Sequence, residues 1–228
     1  MTSTATRTTT AAPTTRPKLL WGAVALVAGT VLYAAMSFLH GDPPITEPDE
    51  ILDYVADRPL WRAEHMVNIL AVFLWLGAFT ALTGATAGTA AHRVARYAQA
   101  TLTATAGVYT VYFGIHAFGT TAMADRWVEA SGAAREAMLT ETQAVLDVLA
   151  SVAFPAQGLL GLSILLYGVS IALSTDLPRW LGWIGAVAGA GWLAGAVLMT
   201  FSVIVPFTTV AWVWMIALAV VMVKGKRE

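Results

Sequence analysis

The 228-residue sequence has no cysteine, which excludes disulfide bonds, iron–sulfur clusters and thiolate catalysis. Charged residues are also scarce, at 12% of the chain against about 25% in an average soluble domain. Hydrophobic residues make up 57% of the chain, and the mean hydropathy is +0.68. Because the few charges are collected in short segments, this composition indicates an integral membrane protein.

Several kinds of chemistry lack their residues as well. No lysine lies in the interior of the long apolar runs, so a Schiff-base chromophore has no point of attachment there. Neither a glycine-rich phosphate loop nor a His-Glu-x-x-His metalloprotease motif occurs. The net charge of −1 gives no information about partners on its own, and we expect no nucleic-acid partner.

Six apolar runs are each long enough to span a bilayer as a helix, which takes about 20 residues. They cover residues 19–39, 66–87, 98–119, 144–173, 180–201 and 205–223. The sequence therefore predicts an all-α, polytopic bundle of six transmembrane helices over residues 19–223. A disordered, threonine-rich tail (1–18) is predicted before it and a basic tail (224–228) after it. Pro206 is predicted to mark the turn between spans five and six.

The basic residues predict that both termini are cytoplasmic, because Lys and Arg concentrate on the inner side of membrane proteins. In this orientation nine of the 13 basic residues lie inside, and 12 of the 14 acids lie outside. The expected location is the cell (plasma) membrane. The two outer loops, 40–64 and 120–143, are acidic and predict a small cap over the bundle. An apolar side in the first loop predicts a short amphipathic helix, built on Ile51, Leu52, Val55 and Leu60.

Polar side chains gather at the outer ends of the predicted spans. His40 ends span one, and His116 lies near the outer end of span three. Glu64 and His65 open span two, with Asn68 one turn deeper. The three histidines are therefore expected at a similar depth on three helices. Polar residues at this level normally face the bundle interior or water rather than lipid chains.

Helical spacing extends these polar positions into stripes. Tyr109, Tyr112 and His116 share one face of span three. Span four carries a second row at intervals of four residues: Gln143, Asp147 and Ser151. A simpler interpretation is that helix ends are polar because the headgroup region is hydrated. An aromatic belt at the membrane interface would similarly account for Trp61.

Two functions follow from these stripes. The first is a membrane-embedded enzyme that performs acid/base (terpene-cyclase-like) or metal-assisted chemistry on a lipophilic isoprenoid or lipid. Its predicted catalytic residues are Asp147, Glu64, His65 and His116. Its predicted substrate-binding residues are Asn68, Tyr109, Tyr112, Gln143, Ser151 and Trp75. The second function is a non-catalytic bundle that binds a ligand, metal, haem or partner protein, or assists transport.

A divalent metal is a candidate cofactor, because two histidines and a carboxylate suffice to hold zinc or iron. The candidate ligands are His65, His116 and Asp147. A haem held by two histidines is the alternative, and it requires the two rings on opposite sides of a roomy cleft. The expected partners are the lipid bilayer and a lipophilic small molecule, and the oligomeric state stays open.

The stretch "LPRWLGWIG" at residues 177–185 resembles a recurrent loop of uncharacterised six-helix bacterial membrane proteins. The acidic outer loop that ends in "PLWRAEH" before span two is similar to actinobacterial members of that family. The resemblance covers most of the chain as architecture and implies six membrane helices, with no activity attached. Small fungal membrane-bound terpene cyclases also use intramembrane carboxylates as acids, but they share no motif with this chain and provide only an analogy.

Overall fold

The computed structural model describes residues 19–224, and within that range it consists of helices with no strand. A five-residue π-helix, Ile115–Gly119, joins the fourth α-helix to the fifth. The α-helices of this range are α1 (Leu20–His40), α2 (Pro48–Ala56), α3 (Trp61–Ala85), α4 (Ala91–Gly114), α5 (Thr120–Glu129), α6 (Ala133–Leu173), α7 (Arg179–Val197) and α8 (Phe201–Lys224). The all-α prediction is confirmed. The predicted tail 1–18 and residues 225–228 lie outside the described residues.

Five of these helices are long and apolar enough to cross a membrane: α1, α3, α6, α7 and α8. The chain is thus an integral membrane protein, as its composition predicts. The third predicted span, 98–119, corresponds to the end of α4 and the π-helix. Helix α4 is not among the five, because its first turns carry His92, Arg93 and Arg96 and threonines interrupt its apolar sequence.

The segments predicted as outer loops are largely helical. Helix α3 begins at Trp61 rather than at residue 66, and α6 begins at Ala133 rather than at residue 144. The amphipathic helix predicted in the first loop is α2, which buries Ile51, Leu52 and Val55. Leu60 was wrongly assigned to its apolar side. That residue follows the end of α2 and is 62% exposed.

The turn between the last two helices does not lie at Pro206, so this prediction is wrong. Helix α7 ends at Val197, and Met199 adopts a left-handed conformation with a φ of 53°. The N–H groups of Met199 and Thr200 donate to the carbonyls of Ala196 and Gly195, which closes the helix end as a Schellman motif. Pro206 lies inside α8, in its second turn, where one backbone hydrogen bond is lost without ending the helix.

Helix α7 packs against both α6 and α8 through its glycines, small residues that let helices approach closely. A Cβ atom on Gly189 would lie 2.1 Å from the backbone nitrogen of Leu165 in α6. A Cβ atom on Gly191 would lie 2.3 Å from the ring of Phe207 in α8. Neither position has room for a side chain, so these glycines set the distance between the three helices.

Two hydrophobic clusters organise the bundle. The main cluster joins α1, α3, α4, α6, α7 and α8 along their length. The second cluster joins α2, α5 and the first turns of α6, and Trp61 at the start of α3 also belongs to it. Within the second cluster the Trp127 indole N–H donates to the Asp53 carboxylate at 2.7 Å. The second cluster therefore ties the segments between the long helices to one end of the bundle.

Candidate metal centre

Three histidines from three separate segments meet at that end of the bundle. His40 is the last residue of α1, His65 lies in the second turn of α3, and His116 lies in the π-helix. One ring nitrogen from each lies within 4.8 Å of the other two. Among the described residues this is the one group of three or more histidine or acidic side chains with metal-ligand spacing. We call these three residues the histidine triad.

Two of the three triad histidines are buried away from solvent. His65 is fully buried at 0% exposure, and His116 is 4% exposed. Their rings stack with centroids 4.6 Å apart and an interplanar angle of 28°. His40 is only partly buried, and its ring centroid lies 5.1 Å from that of His65 and 5.5 Å from that of His116. Access to the triad is therefore from the His40 side.

The hydrogen bonds of His65 leave one nitrogen free to bind a cation. Its Nδ1–H donates to the backbone carbonyl of Trp61 at 2.7 Å. A carbonyl only accepts, so the proton lies on Nδ1 and Nε2 carries the lone pair. This Nε2 is buried and has no hydrogen-bond partner among the described residues. Metal-binding histidines usually donate their second ring N–H to a carbonyl or carboxylate in this way.

The π-helix fixes His116 at the join between α4 and α5. The Thr120 N–H donates to the carbonyl of Ile115, five residues back. The carbonyl of His116 accepts from the Trp61 indole N–H at 3.0 Å and also from the Thr120 hydroxyl. The side chain of His116 has its Nδ1 buried without a partner in the described part of the chain. Single π-turns inside longer helices are often found at functional sites.

The end of α1 is held in place by the segment around α2. The Tyr54 hydroxyl donates to the carbonyl of His40 at 2.7 Å, and Arg58 donates to the carbonyl of Leu39 at 2.9 Å. Gly41 then turns the chain with a φ of 67°, and a Cβ there would lie 2.7 Å from the Tyr54 hydroxyl. His40 is therefore positioned by its backbone, and its Nδ1 is 3.4 Å from the Gly41 carbonyl.

Trp61 packs against all three histidines and does not belong to an aromatic belt, so that interpretation was wrong. It is 1% exposed, and its indole centroid lies 4.7 Å from His40, 4.6 Å from His65 and 5.2 Å from His116. The sequence carries a signal for this role, because Trp61 and His65 are four residues apart on one helix face. Its indole ring is therefore a common packing surface for the three histidine rings.

Two further predicted residues, Glu64 and Asn68, are buried on α3 beside the triad. Glu64 is 7% exposed and Asn68 is 4% exposed. The Oε2 atom of Glu64 and the Oδ1 atom of Asn68 have no hydrogen-bond partner among the described residues. Neither residue contributes an atom to the triad itself. They are unused hydrogen-bond acceptors on the helix that carries His65.

The predicted aromatic residues lie deeper in the bundle. Tyr112 contacts His116, with ring centroids 5.6 Å apart. Tyr109 is fully buried in the main cluster, 5.3 Å from the ring of Phe113. Trp75 is also fully buried, and its indole N–H donates to the Thr30 hydroxyl at 3.1 Å. Their predicted role in binding a substrate stays a prediction.

The predicted residues of α6 are not brought to the histidines. Asp147 is exposed and accepts a hydrogen bond from Gln143, also exposed, at 2.9 Å. The hydroxyl of Ser151 donates to the carbonyl of Val148 on its own helix. Helix α6 turns Leu146 inward to the second cluster instead. The group that contains His65 and His116 therefore has His40 as its third member and does not include Asp147. The role of Asp147 as a metal ligand stays a prediction.

A haem held by His65 and His116 does not fit this arrangement. Axial histidines must lie on opposite faces of the macrocycle, which passes between them. The two rings here stack directly on each other at 4.6 Å, so no macrocycle fits between them. The donor set favours a single ion instead.

No family model, curated protein or solved structure matches this chain. The class defined by the fold is an all-helical integral membrane protein, with a triad of histidines at one end of its bundle. Its function is inferred from the geometry and chemistry of that site, because a fold alone does not determine an activity.

Proposed function

We propose that this membrane protein is a metalloprotein in which His40, His65 and His116 bind one transition-metal ion. The observation that carries the proposal is the spacing of the three ring nitrogens, all within 4.8 Å of one another on three separate segments. In a tetrahedral zinc site with bonds of about 2.1 Å, nitrogen ligands lie about 3.4 Å apart. The triad is thus slightly wider than a loaded site and closes on the ion by small side-chain movements.

The choice of ion follows from the donor atoms. Imidazole nitrogen suits zinc, copper, iron and nickel, whereas magnesium and calcium take oxygen ligands. The triad contains no carboxylate, so a hard cation is disfavoured. Zinc is the first candidate, because three histidines can hold it in a tetrahedral site. Zinc also has no redox chemistry, so the site needs no electron donor or acceptor.

The buried nitrogens give an energetic reason for binding. A buried polar atom without a hydrogen bond destabilises a protein by about 1–3 kcal/mol. His65 Nε2 and His116 Nδ1 are both in this state, although other buried polar side chains find partners inside the bundle. A metal ion takes up a lone pair from each histidine and so removes this cost.

The membrane arrangement that we propose has six spans, with α4 as the sixth. Its 24 residues correspond to about 36 Å of helix, and it packs between α3 and α6 with a continuous buried face. Both termini are cytoplasmic in this arrangement, and the triad lies at the outer surface of the plasma membrane. The second cluster then forms the acidic cap.

Labelling of introduced cysteines tests this orientation, because the chain has no cysteine of its own. Ser131 and Ala87 are exposed in the connections at opposite ends of the bundle. In intact cells an impermeant thiol reagent should label the Ser131→Cys variant and leave the Ala87→Cys variant unlabelled. The reverse pattern would place the triad in the cytoplasm.

Metal binding is common to both roles that the sequence leaves open. A bundle that binds a metal has the triad as its direct support, and metal-assisted chemistry on a lipophilic molecule from the bilayer would use the same ion. Acid-initiated, terpene-cyclase-like chemistry has less support, because Asp147, one of its two predicted acids, is exposed and only Glu64 is buried.

Equilibrium dialysis of the full chain in detergent tests the proposal. The wild-type protein should retain close to one zinc or cobalt ion per chain. A variant in which all three histidines are replaced by alanine should retain none, while keeping the helical circular dichroism of the wild type. Equal retention by the two folded proteins would overturn the proposal.

A further inference from the structure

The triad supplies fewer ligands than its metal needs. Zinc and cobalt in such sites are usually four-coordinate, and catalytic sites keep the fourth position for water or substrate. Among the described residues no fourth histidine or acidic side chain joins the group. All three ligands are neutral when they bind, so the double positive charge of the ion is not compensated by its ligands.

Two polar side chains on the helix that carries His65 have acceptor atoms without a donor among the described residues. Glu64 Oε2 and Asn68 Oδ1 are both buried and unpartnered in the described part of the chain. Asn68 shares a helix face with His65, three residues away, and Glu64 directly precedes His65 in the chain. Two oxygen acceptors favour an occupant that donates hydrogen bonds, and a water molecule does so.

Resting on the metal site proposed above, we infer that the site is open, with its fourth position taken by an exchangeable water whose hydrogen bonds Glu64 and Asn68 accept. The partly buried side at His40 gives this position its access to solvent. Water bound to zinc loses a proton near neutral pH, which makes it a nucleophile. A bound zinc ion would supply this activated water, and Glu64 and Asn68 would accept its hydrogen bonds and orient it. The class of chemistry available to the site is thus hydrolysis or hydration.

Cobalt substitution tests this inference without an enzymatic activity, because the absorption bands of four-coordinate cobalt respond to a change of ligand. Azide added to the cobalt-loaded full chain should change the spectrum with saturation, as it replaces the water. In the absence of azide, raising the pH should also change the spectrum, as the water loses its proton. The charged groups that act on His40 are Asp42 and Arg58, and Glu64 directly precedes His65 on α3.

The Glu64→Gln variant tests the neighbouring acceptor. An amide in place of the carboxyl group can donate a hydrogen bond to a bound anion, so azide should bind about tenfold more tightly, with cobalt retained. The matched control is Glu141→Gln, which removes an exposed acid of the same end that pairs with Arg126. Its azide affinity should equal that of the wild type.

The outcomes separate the two proposals. If cobalt does not bind, the metal site fails and the open position fails with it. If cobalt binds to the triad but neither azide nor pH changes the spectrum, the site is closed, and only the present inference is overturned. An unchanged azide affinity in Glu64→Gln would remove Glu64 from the site. If that variant does not fold, the wild-type azide titration still decides whether the position is open.

Discussion

The two ends of the bundle differ in whether their polar side chains find hydrogen-bond partners. At the end without the triad, Tyr167 and Thr83 hydrogen-bond to each other at 3.1 Å, and Ser170 donates to the carbonyl of Ala91 at 3.1 Å. His92 at that end lies 3.2 Å from the Thr86 hydroxyl and 3.3 Å from the carbonyl of Thr83. At the triad end, four side-chain atoms are buried without partners among the described residues: Glu64 Oε2, His65 Nε2, Asn68 Oδ1 and His116 Nδ1. Three further atoms of this kind lie on Tyr109, Thr142 and Trp212, in α4, α6 and α8.

The comparison shows that a partly buried histidine does not by itself indicate a ligand site. His92 is satisfied by a threonine and a carbonyl, so nothing further is needed to stabilise it. In the triad, His65 donates one ring N–H to the Trp61 carbonyl and keeps Nε2 free, and His116 Nδ1 has no partner among the described residues. Because buried polar groups in native proteins are nearly always bonded, atoms left over in one place indicate a missing ligand.

The largest expected difference in zinc affinity is between two variants that each lack a histidine, one at each end of the bundle. The His65→Ala variant removes one of three ligands, and we expect its zinc affinity to fall by more than about 100-fold, beyond the loss that follows removal of an outer hydrogen-bond partner. The His92→Ala variant should bind zinc like the wild type. Competition with a fluorescent chelator measures both affinities. Equal losses in the two variants would mean that the triad is not the binding site.

Zinc should stabilise the fold through the triad end alone. A ligand present at 100 times its dissociation constant raises the free energy of unfolding by about 2.7 kcal/mol. The wild type and His92→Ala should both show this increase, measured by unfolding in detergent with and without zinc. No increase is expected in His116→Ala. A rise of similar size in His116→Ala would assign the effect to zinc bound elsewhere.

Substitution of Trp61 tests the packing and hydrogen bonding that support the histidines, without removing a ligand. The Trp61→Phe variant keeps an aromatic ring but loses the N–H that holds the carbonyl of His116. Removal of such a supporting hydrogen bond typically lowers metal affinity by about 10–100-fold, and we expect the lower end of that range. Trp127→Phe is the matched control, because it also loses one indole hydrogen bond, to Asp53 in the second cluster. A similar loss of affinity in both variants would make the effect one of general packing.

The smallest effect is expected at the end without the triad. The Tyr167→Phe variant removes the hydroxyl that is bonded to Thr83. A net hydrogen bond of this kind contributes about 1 kcal/mol, so the free energy of unfolding should fall by about that amount. Zinc affinity should stay unchanged in the same preparation. A drop in zinc affinity would show that the two ends are coupled and would contradict the claim that metal binding depends on the triad end alone.

Much of the fold follows from the pattern of apolar residues, but the helix ends do not. Hydropathy identifies the apolar core of α3, yet the helix starts at Trp61 because a buried face with polar members continues through Glu64, His65 and Asn68. The proline at position 206 predicts a turn there, whereas the chain turns at Met199. Met199 adopts a left-handed conformation although it is not a glycine. These ends are set by capping and tertiary contacts.

The sequence predicts the level at which the site residues lie along the helices, but not the direction in which their side chains point. The position of His40, His65 and His116 at one level follows from counting residues along the spans. Which of them meet depends on how each helix is rotated, and one sequence does not determine that rotation. Asp147 shows this limit, because its helix turns Leu146 to the core and Asp147 outward. The support from Trp61 likewise depends on packing.

X-ray absorption spectroscopy of the zinc-loaded full chain tests the three-histidine site most directly, because it identifies the atoms bound to the ion. The expected spectrum contains three imidazole nitrogens at about 2.0–2.1 Å and one further light atom. In the His65→Ala variant the imidazole contribution should fall or the zinc should be lost, while His92→Ala should match the wild type. A wild-type spectrum with one imidazole or none would contradict the histidine triad as a metal site.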